Sequence, residues 1–192
     1  MEITLMKEIF TKEDDQLIWK TTKKESILDT IVFDVTKNHN VSANGTEGDY
    51  IVLDAKDWVI VIPEYNDNLI MVKQWRHGAK TLSVEFPGGV IDEGEEPEHA
   101  AKRELEEETG CITQNLVKLG SINPNPALFS NKVHIFLAKD IKKTGVQHLD
   151  DDEFINTIEL SLKEVLDLLG NEHFAHALMG TALAFYLKEL NK

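Results

Sequence analysis

The order of the predicted elements indicates an α+β fold, a sandwich in which a mixed sheet packs between helices. Short runs rich in β-branched and aromatic residues precede and follow one central helix, predicted over residues 97–109. After residue 160 the apolar spacing changes from that of strands to that of helices. Strands, a central helix, further strands and terminal helices are typical of such a layered architecture.

The composition limits the class of protein. A chain of 192 residues suits one domain, here residues 49–192, preceded by a small N-terminal β extension over residues 1–48. No apolar run approaches about 18 residues, so we expect a soluble protein without a membrane partner. The net charge of −14 argues against a nucleic-acid partner, because surfaces that bind phosphate backbones are basic. The single Cys excludes an internal disulfide, and the N-terminus lacks a signal-peptide pattern, so a cytoplasmic location is expected.

The elements before the central helix are predicted mainly as strands. Residues 31–35 form a short β-like run, whereas residues 38–48, rich in Asn and Gly, are expected to be a loop. The following strands are predicted over residues 50–53, 58–62, 69–75 and 81–86, with a hairpin loop at residues 64–68. The last strand leads into Gly88 and Gly89, which allow a sharp turn of the backbone.

The central helix concentrates acidic side chains on one face. A proline at its first position and a glycine after its last predict a helix over residues 97–109. At about 100° per residue, Glu104, Glu107 and Glu108 lie within an arc of roughly 100°. Glu106 points to the far side. Because Glu108 adjoins the apolar stripe that contains Leu105, it must lie at the edge of the core, where a charge is costly.

Such a carboxylate cluster favours a bound cation. Two carboxylates about 5 Å apart repel by roughly 3 kcal/mol at an effective dielectric constant near 20, so the cluster either protonates or recruits a hard cation. All-oxygen ligands favour Mg²⁺ or Mn²⁺ over zinc. The turn at Gly88 can bring a backbone carbonyl close, and Arg103 can pair with Glu107 one turn later. A solvated acidic helix face is the alternative interpretation.

The elements after the central helix begin with strands and end with helices. Strands are predicted over residues 116–122, 133–137 and 154–160. Ser161 and Glu164 have the spacing of a capping box for a short helix, which Gly170 ends. A second helix is predicted over residues 172–190. The histidines at positions 134, 173 and 176 are interpreted as packing or surface residues.

The spacing of the acidic stretch resembles the signature box of the Nudix hydrolases. The matching positions are Gly89, Glu95, Arg103, Glu104, Leu105, Glu107, Glu108 and Gly110, and the one departure is Cys111 in place of Ile, Leu or Val. The resemblance implies a Nudix fold and metal-dependent hydrolysis of a nucleoside diphosphate linked to another group. It implies Glu104 and Glu108 as the main metal ligands, with Glu107 and the Gly88 carbonyl contributing. It also implies catalytic roles for Glu107, Glu108 and Arg103.

Substrate contacts follow from the same resemblance. The family branch that acts on ADP-ribose and related nucleotide sugars has a similar Gln-Tyr-Arg sequence, matched here by Gln74 and Arg76 with Trp75 replacing the Tyr. It also has a Glu before the glycines, here Glu85. Paired guanidinium donors make Arg76 the candidate diphosphate clamp, although an ordinary surface ion pair is the alternative interpretation.

Three further candidates lie outside the box. Pro126 stands where the ADP-ribose branch carries a proline, and Trp19 is a candidate for stacking on adenine. In the acidic run before residue 154, Glu153 is the first candidate for positioning or deprotonating the attacking water, ahead of Asp152 and Asp151.

The favoured function is hydrolysis of the diphosphate of an ADP-sugar, ADP-ribose first, to AMP and a sugar phosphate. One alternative is GDP-mannose or a nucleoside triphosphate as substrate, because the ADP-sugar branch more often has Ala in place of Gly88. The other alternative is a nucleotide-sensing domain without catalysis. Such domains usually lack some carboxylates of the box, whereas this sequence has all of them. The resemblance also implies a homodimer formed through residues 1–48.

Overall fold

The chain divides into two compact units in a computed structural model that describes residues 9–174 and 176–192. The described part of the N-terminal unit consists of residues 9–55 and 125–130, and the larger unit consists of residues 56–124 and 131–192. The division follows residue 55 and not residue 48, because one strand runs unbroken from Glu47 to Ala55. Residues 1–8 of the expected N-terminal extension lie outside the described residues.

The N-terminal unit is an antiparallel sheet of three strands: β1 (Trp19–Leu28), β2 (Phe33–Ser42) and β3 (Glu47–Ala55), in the order β1-β2-β3. A 3-10 helix (Lys12–Leu17), capped by Thr11, precedes it. The predicted loop over residues 38–48 is therefore confirmed only for residues 43–46, the turn between β2 and β3, and is wrong for the residues on either side. Asn38 pairs with Lys24 on one side and with Tyr50 on the other, so pairing on both sides overrides the low strand propensity of the Asn residues.

The larger unit contains the predicted mixed sheet. Its strands are β4 (Trp58–Tyr65), β5 (Asn68–Arg76), β6 (Thr81–Glu85), β8 (Asn115–Ile122), β9 (Val133–Lys139) and β11 (Asn156–Ser161). The order is β11-β5-β4-β9-β8, with β6 paired to β5. The β4–β9 pair is parallel and the other pairs are antiparallel. Two short strands, β7 (Cys111–Ile112) and β10 (Lys142–Lys143), form a separate ribbon.

Helices cover both faces of this sheet. One buried cluster joins α1 (Pro97–Thr109) to β4 and β5 through residues such as Leu105, Val61 and Ile70. The other joins α2 (Leu162–Asp167) and α3 (Ala177–Leu190) to the opposite face through residues such as Val165 and Leu183. This arrangement is the predicted sandwich. None of the described helices is long and apolar enough to cross a membrane.

The ends of the helices confirm some predictions and correct one. Ser161 and Glu164 form the expected capping box of α2. The second terminal helix, predicted from residue 172, begins instead at Ala177, because the His176 side chain accepts a hydrogen bond from the Leu178 N–H and caps the helix there. Ala175 lies outside the described residues.

Candidate active site

The acidic face of α1 is buried as its helical spacing predicts. The helix ends at Gly110, which has a φ of 63° and donates its N–H to the Glu106 carbonyl at 2.8 Å. Glu104 is only 9% exposed and Glu108 only 3%, whereas the Glu106 side chain is exposed. Two carboxylates of the cluster therefore lie largely out of water, against the sheet.

The glycines before α1 bring backbone against this face. The Gly88 N–H donates to Glu108 Oε2 at 2.8 Å. A side chain at Gly88 would overlap the Val59 carbonyl, and a Cβ at Gly89 would lie 2.5 Å from Glu104 Oε1. Gly88 is thus required by its approach to the backbone, whereas at Gly89 the approach is to the carboxylate of a candidate metal ligand.

Arg103 holds three of the box carboxylates in place. It donates to Glu95 Oε1 and Oε2 at 3.1 and 2.9 Å, to Glu104 Oε1 at 2.8 Å and to Glu107 Oε2 at 3.0 Å. A further N–H reaches the Val90 carbonyl at 3.0 Å. The expected Arg103–Glu107 pair is present, but the guanidinium is shared more widely than the one-turn spacing predicts.

The buried carboxylates are not fully compensated by this arginine. Burial raises the pKa of Glu104 to about 7 and the pKa of Glu108 to about 8, despite the contacts with Arg103 and with the Gly88 N–H. Part of each rise comes from neighbouring carboxylates: Glu107 acts on Glu104, Glu104 acts on Glu108, and Glu153 acts on both. A divalent cation would remove the cost of ionising both groups.

The residues fit such a cation by their chemistry. The donors are carboxylate oxygens, and the absence of a side chain at Gly89 lets the Glu104 carboxylate lie directly against the backbone of the glycine turn. Among the described residues, no three His, Cys, Asp or Glu side chains are arranged as a metal-ligand set, and Arg103 Nη1 contacts both Glu104 and Glu107.

A second charged pair lies at the ends of β5 and β6. Arg76 Nε donates to Glu85 Oε1 at 2.8 Å and Arg76 Nη2 donates to Glu85 Oε2 at 2.6 Å. Glu85 is 1% exposed, whereas the Arg76 side chain is 41% exposed. Although burial acts to raise it, the pKa of Glu85 is lowered by these hydrogen bonds and by the charge of Arg76. The two residues expected to bind substrate therefore form one fixed unit.

The other predicted substrate residues are less closely grouped. Gln74 lies on β5 opposite Ser83, on the same two strands as the Arg76–Glu85 pair. Glu153 lies in an exposed turn, and its charge acts on Glu104, Glu108 and Arg76. Trp19 and Pro126 belong to the N-terminal unit, where the Trp19 ring packs edge-on against Tyr50, and their substrate roles stay predictions.

One segment of the site had no signal in the sequence. Residues 144–148 bind the carbonyl end of α1: the Thr144 N–H donates to Gly110 at 2.7 Å and the His148 N–H donates to Glu107 at 2.9 Å. The Gln147 side chain donates to the Glu108 carbonyl. These contacts satisfy carbonyls at the helix end and fix the backbone that carries two acidic residues. Isolated polar residues in a loop show no periodicity from which this could be predicted.

Comparisons with known proteins agree with this geometry. A NUDIX domain model matches residues 55–179. An ADP-ribose pyrophosphatase of Bacillus subtilis (strain 168) is 33% identical over 173 residues, 88% of this chain and 94% of that protein. A methanol dehydrogenase activator of Bacillus methanolicus is 34% identical over 152 residues, covering 78% and 82%. The crystal structure of an ADP compounds hydrolase, 26% identical, matches with a TM-score of 0.80 over 90% of this chain and 94% of its own, which confirms the predicted fold. The chain belongs to the Nudix family of hydrolases.

Proposed function

We propose that the protein hydrolyses the diphosphate of an ADP-linked sugar, with ADP-ribose as the first candidate, to AMP and a sugar phosphate. The observation that carries the proposal is that two features lie in one unit. One is the pair of buried carboxylates, Glu104 and Glu108. The other is the hydrogen-bonded Arg76–Glu85 pair, and the charge of Glu108 acts on its arginine. The names of relatives that act on ADP-ribose and on ADP compounds support this substrate class.

Nudix hydrolases use divalent metals, and Mg²⁺, with Mn²⁺ as the alternative, is the ion that we propose here. Glu104, Glu107 and Glu108 would hold it. The Pro87 and Gly89 carbonyls accept hydrogen bonds from β4, so the alternating backbone directs the Gly88 carbonyl to the opposite side, where the Gly88 N–H already meets Glu108. When bound, such an ion neutralises diphosphate charge and lowers the pKa of an attacking water.

The remaining roles belong to side chains around the carboxylates. Arg103 positions Glu104 and Glu107 through its hydrogen bonds. Arg76, with N–H groups left over after its two bonds to Glu85, binds a diphosphate oxygen. Glu153 orients or deprotonates the attacking water. Gln74, Pro126 and Trp19 are proposed to contact the rest of the substrate.

One observation favours a different substrate. The ADP-sugar branch more often has Ala at the position of Gly88, yet a Cβ there would overlap the Val59 carbonyl in this backbone. The turn is therefore built differently from that pattern, which keeps GDP-mannose and nucleoside triphosphates as candidates. A nucleotide-sensing domain without catalysis is the third candidate, and the complete set of box carboxylates argues against it.

We also propose a homodimer formed through the N-terminal unit, in a cytoplasmic protein. The unit exposes large apolar side chains that a monomer would leave in water: Trp19, Ile27, Leu28, Ile31 and Val32. Light scattering at micromolar concentration should give the mass of two chains, and a mass of one chain would contradict the dimer.

The experiment that tests the function is a substrate panel with Mg²⁺, read by product chromatography. It should contain ADP-ribose, GDP-mannose, a dinucleotide, ATP and a deoxynucleoside triphosphate. We expect ADP-ribose to have the highest kcat/KM and to yield AMP and ribose 5-phosphate. A preference for GDP-mannose or for a triphosphate would overturn the proposal.

A further inference from the structure

A cavity next to the Arg76–Glu85 pair has a lining that the roles proposed above do not explain. It has a volume of about 430 Å³ and lies where β5, β6 and the start of α3 meet. Its lining residues are Arg76, His77, Ser83 and His176, which have polar side chains, together with Trp75, Gly78 and Ala79.

Ser83 presents a buried hydroxyl with lone pairs that no hydrogen bond uses. The residue is 1% exposed, and its Oγ accepts no hydrogen bond within the described residues. Hydrogen bonding between this side chain and Glu85 helps to lower the pKa of that carboxyl, so the lone pairs of Ser83 Oγ are what remains for a ligand. A buried polar group in this state costs free energy unless a ligand satisfies it.

His176 presents a hydrogen-bond donor whose direction is fixed. Its Nδ1 accepts the Leu178 N–H at 3.2 Å, so Nδ1 carries the lone pair and the ring proton lies on Nε2. Burial lowers the pKa of His176, in agreement with a neutral ring. The same hydrogen bond that caps α3 thus sets the tautomer of a residue in the cavity wall.

The cavity is therefore suited to a group with several hydrogen-bonding oxygens. Arg76 and His176 donate, whereas Ser83 accepts. A sugar ring matches this set because its hydroxyls can both donate and accept hydrogen bonds. The position next to Arg76, which feels the charges of Glu108 and Glu153, places such a ring beside the site of diphosphate cleavage.

We propose that Ser83 and His176 bind the sugar on the leaving phosphate and set the preference of the enzyme for polyhydroxylated leaving groups. This inference rests on the proposed function, since it assigns the sugar half of the same substrate. It gives a role to a histidine that the sequence presents only as a packing or surface residue.

The test compares two substrates that differ only in this half. One is ADP-ribose, and the other is the ethyl ester of ADP, in which an ethyl group replaces the distal ribose. Ser83→Ala and His176→Asn should each lower kcat/KM for ADP-ribose by roughly 5- to 20-fold, mainly through KM, because each removes a hydrogen bond to a sugar hydroxyl. The kcat/KM for the ethyl ester should change by less than about twofold.

The variants are chosen to keep the fold. Asn is a favoured N-cap and can still accept the Leu178 N–H, and Ser83→Ala removes a hydroxyl whose lone pairs lack a partner, so the melting temperature should not fall. His173→Asn is the matched control, because His173 is an exposed histidine outside the cavity lining. This variant should leave the ratio of kcat/KM for ADP-ribose to kcat/KM for the ethyl ester unchanged.

Each other outcome overturns a different statement. An equal loss of kcat/KM with both substrates, or no loss with either, would show that Ser83 and His176 do not bind the sugar. An unmodified enzyme that hydrolyses neither ADP compound would overturn the proposed function and the subsite with it.

Discussion

Two arginine–glutamate groupings in the larger unit differ in how completely they compensate buried charge. Arg76 directs two donors to the single carboxylate of Glu85, and the pKa of Glu85 is lowered although the residue is buried. Arg103 is shared among several carboxylates, and burial still raises the pKa of Glu104 to about 7 and that of Glu108 to about 8. In the first grouping the arginine compensates the buried charge without any ligand. In the second, negative charge remains uncompensated, as expected for a site that binds a cation.

The largest expected effect comes from removing charge at the second grouping. Glu108→Gln and Glu104→Gln should each lower kcat by roughly 10² to 10⁴, because each removes a charged ligand from the proposed metal site. Steady-state rates at saturating Mg²⁺ measure the loss. Glu106→Gln, an exposed residue of the same helix, is the control and should retain normal rates. Near-normal rates in the two ligand variants would contradict the metal assignment.

Removing the arginine of the Arg76–Glu85 pair should lower both the stability of the protein and its selectivity between substrates. Arg76→Ala leaves Glu85 buried without its partner, which should lower the free energy of unfolding by about 1 to 3 kcal/mol, a discounted value because Arg76 is partly exposed. It should also lower kcat/KM for ADP-ribose roughly 10- to 100-fold more than that for ATP. Arg76→Lys tests the fork geometry, since it keeps the charge but loses the paired donors. An unchanged substrate ratio in both variants would remove Arg76 from the substrate site.

The pH dependence of stability should also distinguish the groupings. The pKa of Glu108 is raised in the folded state, so its protonated form favours folding. This contribution to the free energy of unfolding is fully present below the ordinary pKa near 4.5 and is lost as the pH rises to about 8. Without metal, Glu108→Gln should therefore stabilise the protein at pH 8 and change little at pH 4.5. A gain of about 2 kcal/mol corresponds to roughly 4 to 8 °C in melting temperature. Equal shifts at both pH values would contradict the raised pKa.

The smallest effect is expected at the one departure from the signature box. Cys111 is buried, and burial raises the pKa of its thiol, so it behaves as a small apolar residue. Cys111→Val should change kcat/KM by less than about twofold. A larger loss, with an unchanged melting temperature, would give the thiol a role that its burial does not suggest.

The same comparison shows what sequence can predict. The α1 cluster follows from local spacing, because residues three and four apart share a helix face and Gly110 ends the helix. The surroundings of Arg76 combine β5, β6 and α3, so the place of His176 in the cavity wall depends on tertiary packing that no periodicity encodes. The polar part of β2, residues 38–42, was missed for a related reason, since its partners on both sides, and not its own residues, make it a strand.

The most direct test of the central claim is Mg²⁺ binding measured by calorimetry at pH 7.5, without substrate. The unmodified protein should bind Mg²⁺ and release protons, because Glu104 and Glu108 must ionise fully to act as ligands. Glu106→Gln should bind in the same way, whereas Glu108→Gln should bind at least about tenfold more weakly and release fewer protons. Equal affinity and equal proton release in Glu108→Gln and in the unmodified protein would show that the buried carboxylates of α1 do not hold the metal.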